Sequence, residues 1–277
     1  MRRTALTVLI LLATLPLTAE RFISDADGNP PKADLPFQKG ENLTYVVKYK
    51  WGAINSEVGE VRIETTDRKD SSGDYFFVTA NGFTYKFYDI FFKVRDYYES
   101  RFTRDLQPVY FHRDIKEGKY TMKNYITFDT AGKIRAVWQR MAAPVRDTLL
   151  QGSPEVFDLL SMIFNLRSQD FSSAHQGLKW ERGVVIDGRI IRISIIYSGK
   201  TVKNVPGLGR FNTHLLSVVI NTSGSFTFKG GEQMLIWVSD DKNSLPLQIE
   251  SPIKVGSVIA RLTSAAGLKY PLTSKLQ

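Results

Sequence analysis

The residue types that most often carry chemistry are few in this chain and poorly placed for it. Its histidines are His112, His175 and His214, and it has no cysteine. The three lie far apart, with no His-x-His or His-x-x-x-His and no carboxylate at zinc-ligand spacing, so a metal centre is not expected. A thiol nucleophile is excluded, and no Gly-x-Ser-x-Gly elbow is present. Ser225, in Thr-Ser-Gly-Ser-Phe, reads as a loop serine without a placed base. Gly207-Leu208-Gly209 lacks the third glycine and the following helix that phosphate cradling needs, and reads as a loop entering a strand. Paired carboxylates for glycoside chemistry stand roughly 5–9.5 Å apart. Asp96 with Glu99 and Asp240 with Asp241 are the sets to weigh. Residues 96 and 99 fall on opposite faces of one predicted strand, and Asp240-Asp241-Lys242-Asn243 has turn composition. An enzyme is therefore not the expected reading, and neither a catalytic residue nor a cofactor is assigned.

The densest local feature is aromatic. Tyr75 to Tyr98 holds eleven of the chain's 33 aromatic residues in 24 positions. A strand sends alternate side chains to opposite faces, so such a run cannot all enter one thin core. Two readings stay open: a thick aromatic core with ordinary β propensity, or an apolar groove for an acyl chain or lipid. In the groove reading Phe76, Phe83, Tyr85, Phe87, Phe91 and Phe92 contact the tail, and Lys86, Lys93 and Arg95 meet anionic head groups at the rim.

The elements that must position these residues are mostly strands. Leu43, Tyr45, Val47 and Tyr49 alternate with Asn42, Thr44, Val46 and Lys48, the period of a half-buried strand. The pattern recurs at Val58–Thr65, Tyr75–Ala80, Val94–Phe102, Val109–Ile115, Lys119–Phe128 and Ile134–Arg140. It resumes at Lys179–Ile186, Arg189–Ser198, Phe211–Thr222, Gln233–Ser239, Leu245–Ser251 and Val255–Thr263. Arg68–Gly73, Ala80-Asn81-Gly82, Lys116-Glu117-Gly118 and Asp129–Gly132 read as turns, and Asp187-Gly188 as a two-residue type I′ hairpin. One segment breaks the rhythm. Ser153-Pro154-Glu155 resembles an N-cap, a first-turn proline and a dipole-matched acid. Val156, Leu159, Leu160, Ile163 and Phe164 then follow at helical spacing, predicting a helix over about 154–167 that covers the sheet. A weaker helical possibility is Phe87–Phe92. The reading is an all-β, mainly antiparallel fold, one curled or barrel-like domain over residues 38–265, with a tail at 266–277. An open sheet, a closed barrel and two β halves divided by the helix all remain possible.

The N-terminus gives an address. Arg2 and Arg3, the apolar Ala5–Leu15 and a small residue at Ala19 have the layout of a cleavable signal over residues 1–19, with an apolar core too short to span a bilayer. The mature chain is expected to start near Glu20, with an extended Pro-rich segment to residue 37 outside the core, and to work in the periplasm or beyond. No lipidated cysteine and no transmembrane helix are expected. Taking Arg2 and Arg3 from 37 basic residues against 28 acidic ones lowers the net charge from +9 to +7. Outside the cytoplasm that excess suits anionic lipid or acidic wall polymer better than nucleic acid, although the basic residues are scattered and a solvated mixed surface accounts for them too.

Three stretches carry a resemblance. They are Phe37-x-x-Gly40-Glu41-x-Leu43-x-Tyr45, Leu106-x-Pro108-x-x-Phe111, and Leu235–Ser251 followed by Val255–Leu262. Together they resemble an exported bacterial family catalogued as domain of unknown function 3108. The resemblance implies an exported, largely antiparallel β protein and brings no activity, cofactor or site residue with it. Trp237 would anchor a core strand, Asp240 and Asp241 shape a hairpin loop, and Pro246 sit near a strand start. The architecture is also similar to that of the envelope lipoprotein carriers, a similarity of fold only. The leading functional reading is an envelope protein binding a lipid-like or amphipathic ligand. The alternative is an interaction module docking on another envelope protein, and third comes a carboxylate-dependent hydrolase of wall material.

Overall fold

The computed structural model describes residues 34–70, 73–221, 233–253 and 255–277. The signal, most of the extended segment and Ser225 lie outside the described residues. The chain folds into one sheet. From its middle, eight strands run outward: β1 (Asn42–Trp51), β2 (Ile54–Asp70), β3 (Gly73–Thr84), β4 (Arg95–Thr103), β5 (Pro108–Glu117), β6 (Tyr120–Phe128), β7 (Lys133–Arg140) and β8 (Arg146–Gln151). The chain then reaches the other edge at β9 (Val156–Phe157). It returns through β10 (Lys179–Ile186), β11 (Arg189–Val205), β12 (Gly209–Asn221), β13 (Met234–Ser239), β14 (Pro246–Pro252) and β15 (Ser257–Ala266), which pairs with β1. All pairings are antiparallel except β9 with β10.

The connectivity forces the curl. The two edges of this fifteen-stranded sheet, β8 and β9, are joined by residues 152–155 alone. Such a link spans at most about 18 Å. Fourteen strand spacings of about 4.8 Å would separate the edges of a flat sheet by about 67 Å. The sheet therefore wraps round until its edges approach, and its inward side chains form the core. β4 shows the pattern: Asp96, Tyr98, Ser100 and Phe102 are buried while their neighbours are half-exposed. Gly59 lets β2 and β3 close up, since a Cβ there would stand 2.3 Å from the Phe83 carbonyl oxygen.

The helix differs from its prediction at its start and in its surroundings. It is α2 (Leu159–Arg167), five residues shorter at the N-terminus than the Ser153-Pro154-Glu155 signal implied. Val156 and Phe157 pair with Gly183 and Val184 as β9 instead, because a free strand edge offers them ladder hydrogen bonds. The N-cap is Asp158, which accepts from the Leu160 and Ser161 amides (2.9 and 3.0 Å), while Ser161 Oγ accepts from the Asp158 amide (3.0 Å), a reciprocal capping box. The weaker helical possibility at Phe87–Phe92 is met only in part, by the single turn α1 (Lys86–Asp89). Rather than lying over the sheet by one stripe, α2 is enclosed. Leu160 and Phe164 join a cluster with Phe37, Phe76, Phe102 and Phe111, and Met162 and Leu166 join a second with Trp180, Ile193 and Leu216. Leu160→Ala removes a fully buried side chain and is expected to cost about 2–5 kcal/mol, a melting point lower by roughly 5–15 °C in a chain of this size. A thermal melt followed by circular dichroism that matches wild type would show that the helix is not part of the core.

Four other readings are corrected. Phe37, assigned to a segment outside the core, is 1% exposed and meets Phe76 and Phe164 edge-on at 5.0 and 4.6 Å. Ala80-Asn81-Gly82 is not a turn but part of β3, since ladders to β2 and β4 override the local preference, and the real turn follows Thr84. Trp237 does not anchor the core. Ile236 and Val238 take the inward places, and Trp237 is half-buried on the outside with Lys203 Nζ 3.6 Å from its ring centre. The stretch after β15 is fastened, with Leu276 donating to the Arg210 carbonyl and Asn243 holding Tyr270 through both of its polar atoms. Asp187-Gly188 adopts the expected hairpin, with φ of 50° and 70°.

Candidate functional site

The interior of the curl is held by polar as well as apolar groups. Tyr98, Arg113 and Asn124 stand opposite one another on β4, β5 and β6, all buried. The β10–β11 turn folds over them: Asp187 accepts from Arg113 and Arg140, and Gly188 lies so close to Trp138 that a Cβ would overlap the ring. Nearer that end, Asp96 accepts from the Lys116 amide at 3.0 Å. Burial, and after it the Glu117 charge, pushes the Asp96 carboxyl up to about 7. Burial likewise pushes Asp158 up to about 6, against its bonds from Ser161, Ser100 and Leu160. Raised carboxyls often mark catalysis. Here both are 5% exposed or less and are engaged in holding strands and helix together.

The other groups weighed from the sequence are dispersed. His112, on the outer face of β5, stacks on Tyr125 at 4.5 Å. His214 lies between Tyr197 Oη (3.0 Å) and Asp240 (2.9 Å). His175 is exposed in the loop before β10. Asp96 faces inward and Glu99 outward, where Glu99 binds Arg101. Asp241 shapes the β13–β14 loop by accepting from Ser239 Oγ and the Asn243 amide.

The aromatic run divides three ways. Phe76 is inside the core. Phe83 is half-buried on the outer face of β3, with Arg62 5.2 Å above its ring. Tyr85 to Lys93 leave the sheet as a turn built around α1. Tyr85 anchors it by donating its amide to the Val58 carbonyl, and Phe92 packs over Gly118. Arg95, expected to face a head group, instead grips Asp89 at 2.6 Å and holds that carboxyl below the usual carboxylate range together with Thr84. What remains at the tip is Phe87, Ile90 and Phe91, 65%, 79% and 74% exposed, beside exposed Lys86 and Lys93. Exposed large apolar side chains grouped in this way mark a contact surface.

Neighbouring turns extend the tip. Phe92 shares a small cluster with Tyr49 of β1, Val58 of β2 and Ile253 of the β14–β15 turn. Gly118 donates to the Lys93 carbonyl at 2.7 Å, and Tyr49 Oη donates to the Val255 carbonyl at 2.9 Å. The β1–β2 and β14–β15 turns thus bring Trp51, Ile54 and Val255 to the same end, 53%, 45% and 38% exposed. Ile90 and these three were not singled out from the sequence. The available signal was large apolar residues at turns, such as Trp51-Gly-Ala-Ile54, where polar residues are usual.

Among the described residues no helix is long and apolar enough to cross a membrane. Comparison with the curated proteins finds no match. Among solved structures, a β-barrel-like protein of domain of unknown function DUF1849 from Brucella abortus superposes with a TM-score of 0.54 at 9% identity, covering 81% of this chain and 96% of that one. A protein from Bacteroides fragilis described as exported, with a YmcC-like fold, gives 0.31 at 10% identity over 86% and 98% of the two chains, too low a score to bear on the fold. The first likeness shows a shared barrel-like architecture at a distance where sequence similarity is gone. A family model matches residues 44–263, nearly the whole sheet from β1 to β15, and the chain belongs to that family, Protein of unknown function (DUF3108).

Proposed function

We propose that this protein is exported by its N-terminal signal and binds lipid-like, amphipathic material without transforming it, through the aromatic turn around α1. The observation that carries the reading is the exposure of Phe87, Ile90 and Phe91 together at one tip, fixed from behind by the Asp89–Arg95 pair and by Phe92. A rigid presentation matters, because ordering a loose loop on binding would subtract from the affinity. Burying three such side chains contributes roughly 4–9 kcal/mol, enough to offset the lower estimates of the association cost. Among the described residues, Phe76 is packed in the interior with Leu160 and Phe164 of α2 rather than facing an open groove.

Titration of the exported protein with a fluorescent fatty acid kept below its micelle concentration tests this. Saturable binding is expected for wild type, with at least a tenfold loss, about 1.4 kcal/mol, in Phe87→Asp and Phe91→Asp. Both side chains are exposed, so the variants should melt as wild type does. Equal binding by wild type and variants would overturn the reading and favour docking of a protein on the β8 edge, where Leu149 is 73% exposed.

A further inference from the structure

We infer that the occupant of this tip is a bilayer surface carrying anionic head groups, met by the whole end of the sheet at once; the inference rests on the lipid-binding reading above. The asymmetry of the molecule supports it. Strand register places the β1–β2, β3–β4, β5–β6, β7–β8 and β14–β15 turns at one end. The β7–β8 turn joins the others through the Met141 amide, which donates to the Thr121 carbonyl at 2.8 Å. Among the described residues eleven large apolar side chains are exposed, and eight belong to these turns or the strand ends beside them: the six named above, with Met141 and Val145 at 56% and 58%. The opposite turns hold residues such as Arg104, Asp105, Asp129 and Pro206 instead.

The exposed lysines at the apolar end outnumber its free acids. Lys50, Lys86, Lys93 and Lys119 are exposed there and make no salt bridge with a described carboxylate. Of the nearby acids, Asp89 is engaged by Arg95, Glu57 by Arg261, Asp114 by Lys116 and Lys123, and Asp187 by Arg113 and Arg140, while Glu117 is half-buried beside Asp96. Aromatic and aliphatic tips that enter the head-group layer, with lysines level with the phosphates, are the arrangement of an interfacial membrane contact. A lone lipid cannot touch turns spread over five hairpins, whereas a plane can. The distribution therefore favours a surface over a single bound molecule.

The experiment is co-sedimentation of the exported protein with vesicles of phosphatidylcholine alone, or with about 30% phosphatidylglycerol, at low and high salt. Binding is expected only to the anionic vesicles and should weaken with salt. Trp51 should shift to shorter emission wavelength and be quenched by brominated lipid. Lys86→Ala with Lys93→Ala should weaken binding roughly twenty-five-fold, about fivefold for each charge. Met141→Asp with Val145→Asp, at the far side of the rim, should also reduce it, whereas Leu149→Asp on the outer face should not. Failure to bind anionic vesicles while the monomeric fatty acid still binds would overturn this inference and leave the proposed function standing. Equal binding to neutral and anionic vesicles, or indifference to Met141→Asp with Val145→Asp, would also overturn it. Failure with both probes removes both readings.

Discussion

Replacing Arg167 with methionine is expected to cost the fold about 3–5 kcal/mol, because it strands a buried carboxylate. Arg167 ends α2 and is 1% exposed. Its guanidinium donates to both oxygens of Glu41, at 2.6 and 2.8 Å, and to the Asn243 carbonyl at 3.2 Å. The rings of Phe37 and Phe164, themselves edge-on to one another at 4.6 Å, each lie 5.3 Å from it. One side chain thus fastens the helix to the start of β1 and to the β13–β14 loop, segments far apart in sequence. The attraction between the two charges only offsets their desolvation, so removing one partner is far worse than removing both. The double variant Glu41→Gln with Arg167→Met should therefore recover most of the loss. Urea denaturation of the four proteins of this cycle measures the coupling. A single variant within about 1 kcal/mol of wild type would mean that Glu41 reaches water or a second cation when Arg167 is gone.

Elements were legible where local and global preferences agreed. Strand alternation from Leu43 to Tyr49 and the Asp187-Gly188 turn needed no partner to be read, because the pleat and the positive φ act within a few residues. Ser153-Pro154 misled for the opposite reason. It is a plausible helix start in isolation, but Val156 and Phe157 sit beside an unfilled edge of β10, and the helix begins only after Asp158, which caps it reciprocally with Ser161. Phe37 was hidden by its proline-rich setting, since only the tertiary fold reveals the space beside Phe76. The site was half legible. Eleven clustered aromatics announced something, but the groove reading groups Phe76 and Phe83 together, whereas the uninterrupted β3 sends them to opposite faces. Between Tyr85 and Lys93, however, the chain leaves the sheet, and the rule that assigns rings to faces no longer applies. Trp51, Ile54 and Val255 join Phe87 and Phe91 only through strand register across β1, β2, β3 and β15, which composition does not encode.

Raising the pH from about 4 to 8 should destabilise the wild-type protein by more than it destabilises Asp96→Asn. Asp96 is 5% exposed on the inner face of β4, and burial raises its carboxyl first, with the nearby Glu117 and Asp114 charges adding to the effect and Arg113 and the Lys116 amide opposing it. In the unfolded chain it titrates near 3.8, and in the fold at about 7. Between those values the native state keeps a proton that the unfolded chain has released. The stabilising contribution is thus complete below about pH 4 and is lost as the pH climbs through 7. Roughly three units at 1.36 kcal/mol each set a ceiling of about 4 kcal/mol. Asp158, also raised, adds a smaller loss that ends near pH 6 and is present in both proteins. The surface pairs act the other way: Asp89 and Asp240 are held low by Arg95 and Lys200, so their help is present at neutral pH and fades only in acid. Asparagine cannot ionise and keeps an oxygen for the Lys116 amide, so the variant should match wild type near pH 4 and exceed it by a few kcal/mol at pH 8. Denaturation midpoints taken across that range decide the matter. Parallel curves for the two proteins would mean that Asp96 ionises freely in the fold and that the end of the sheet behind the rim is wet.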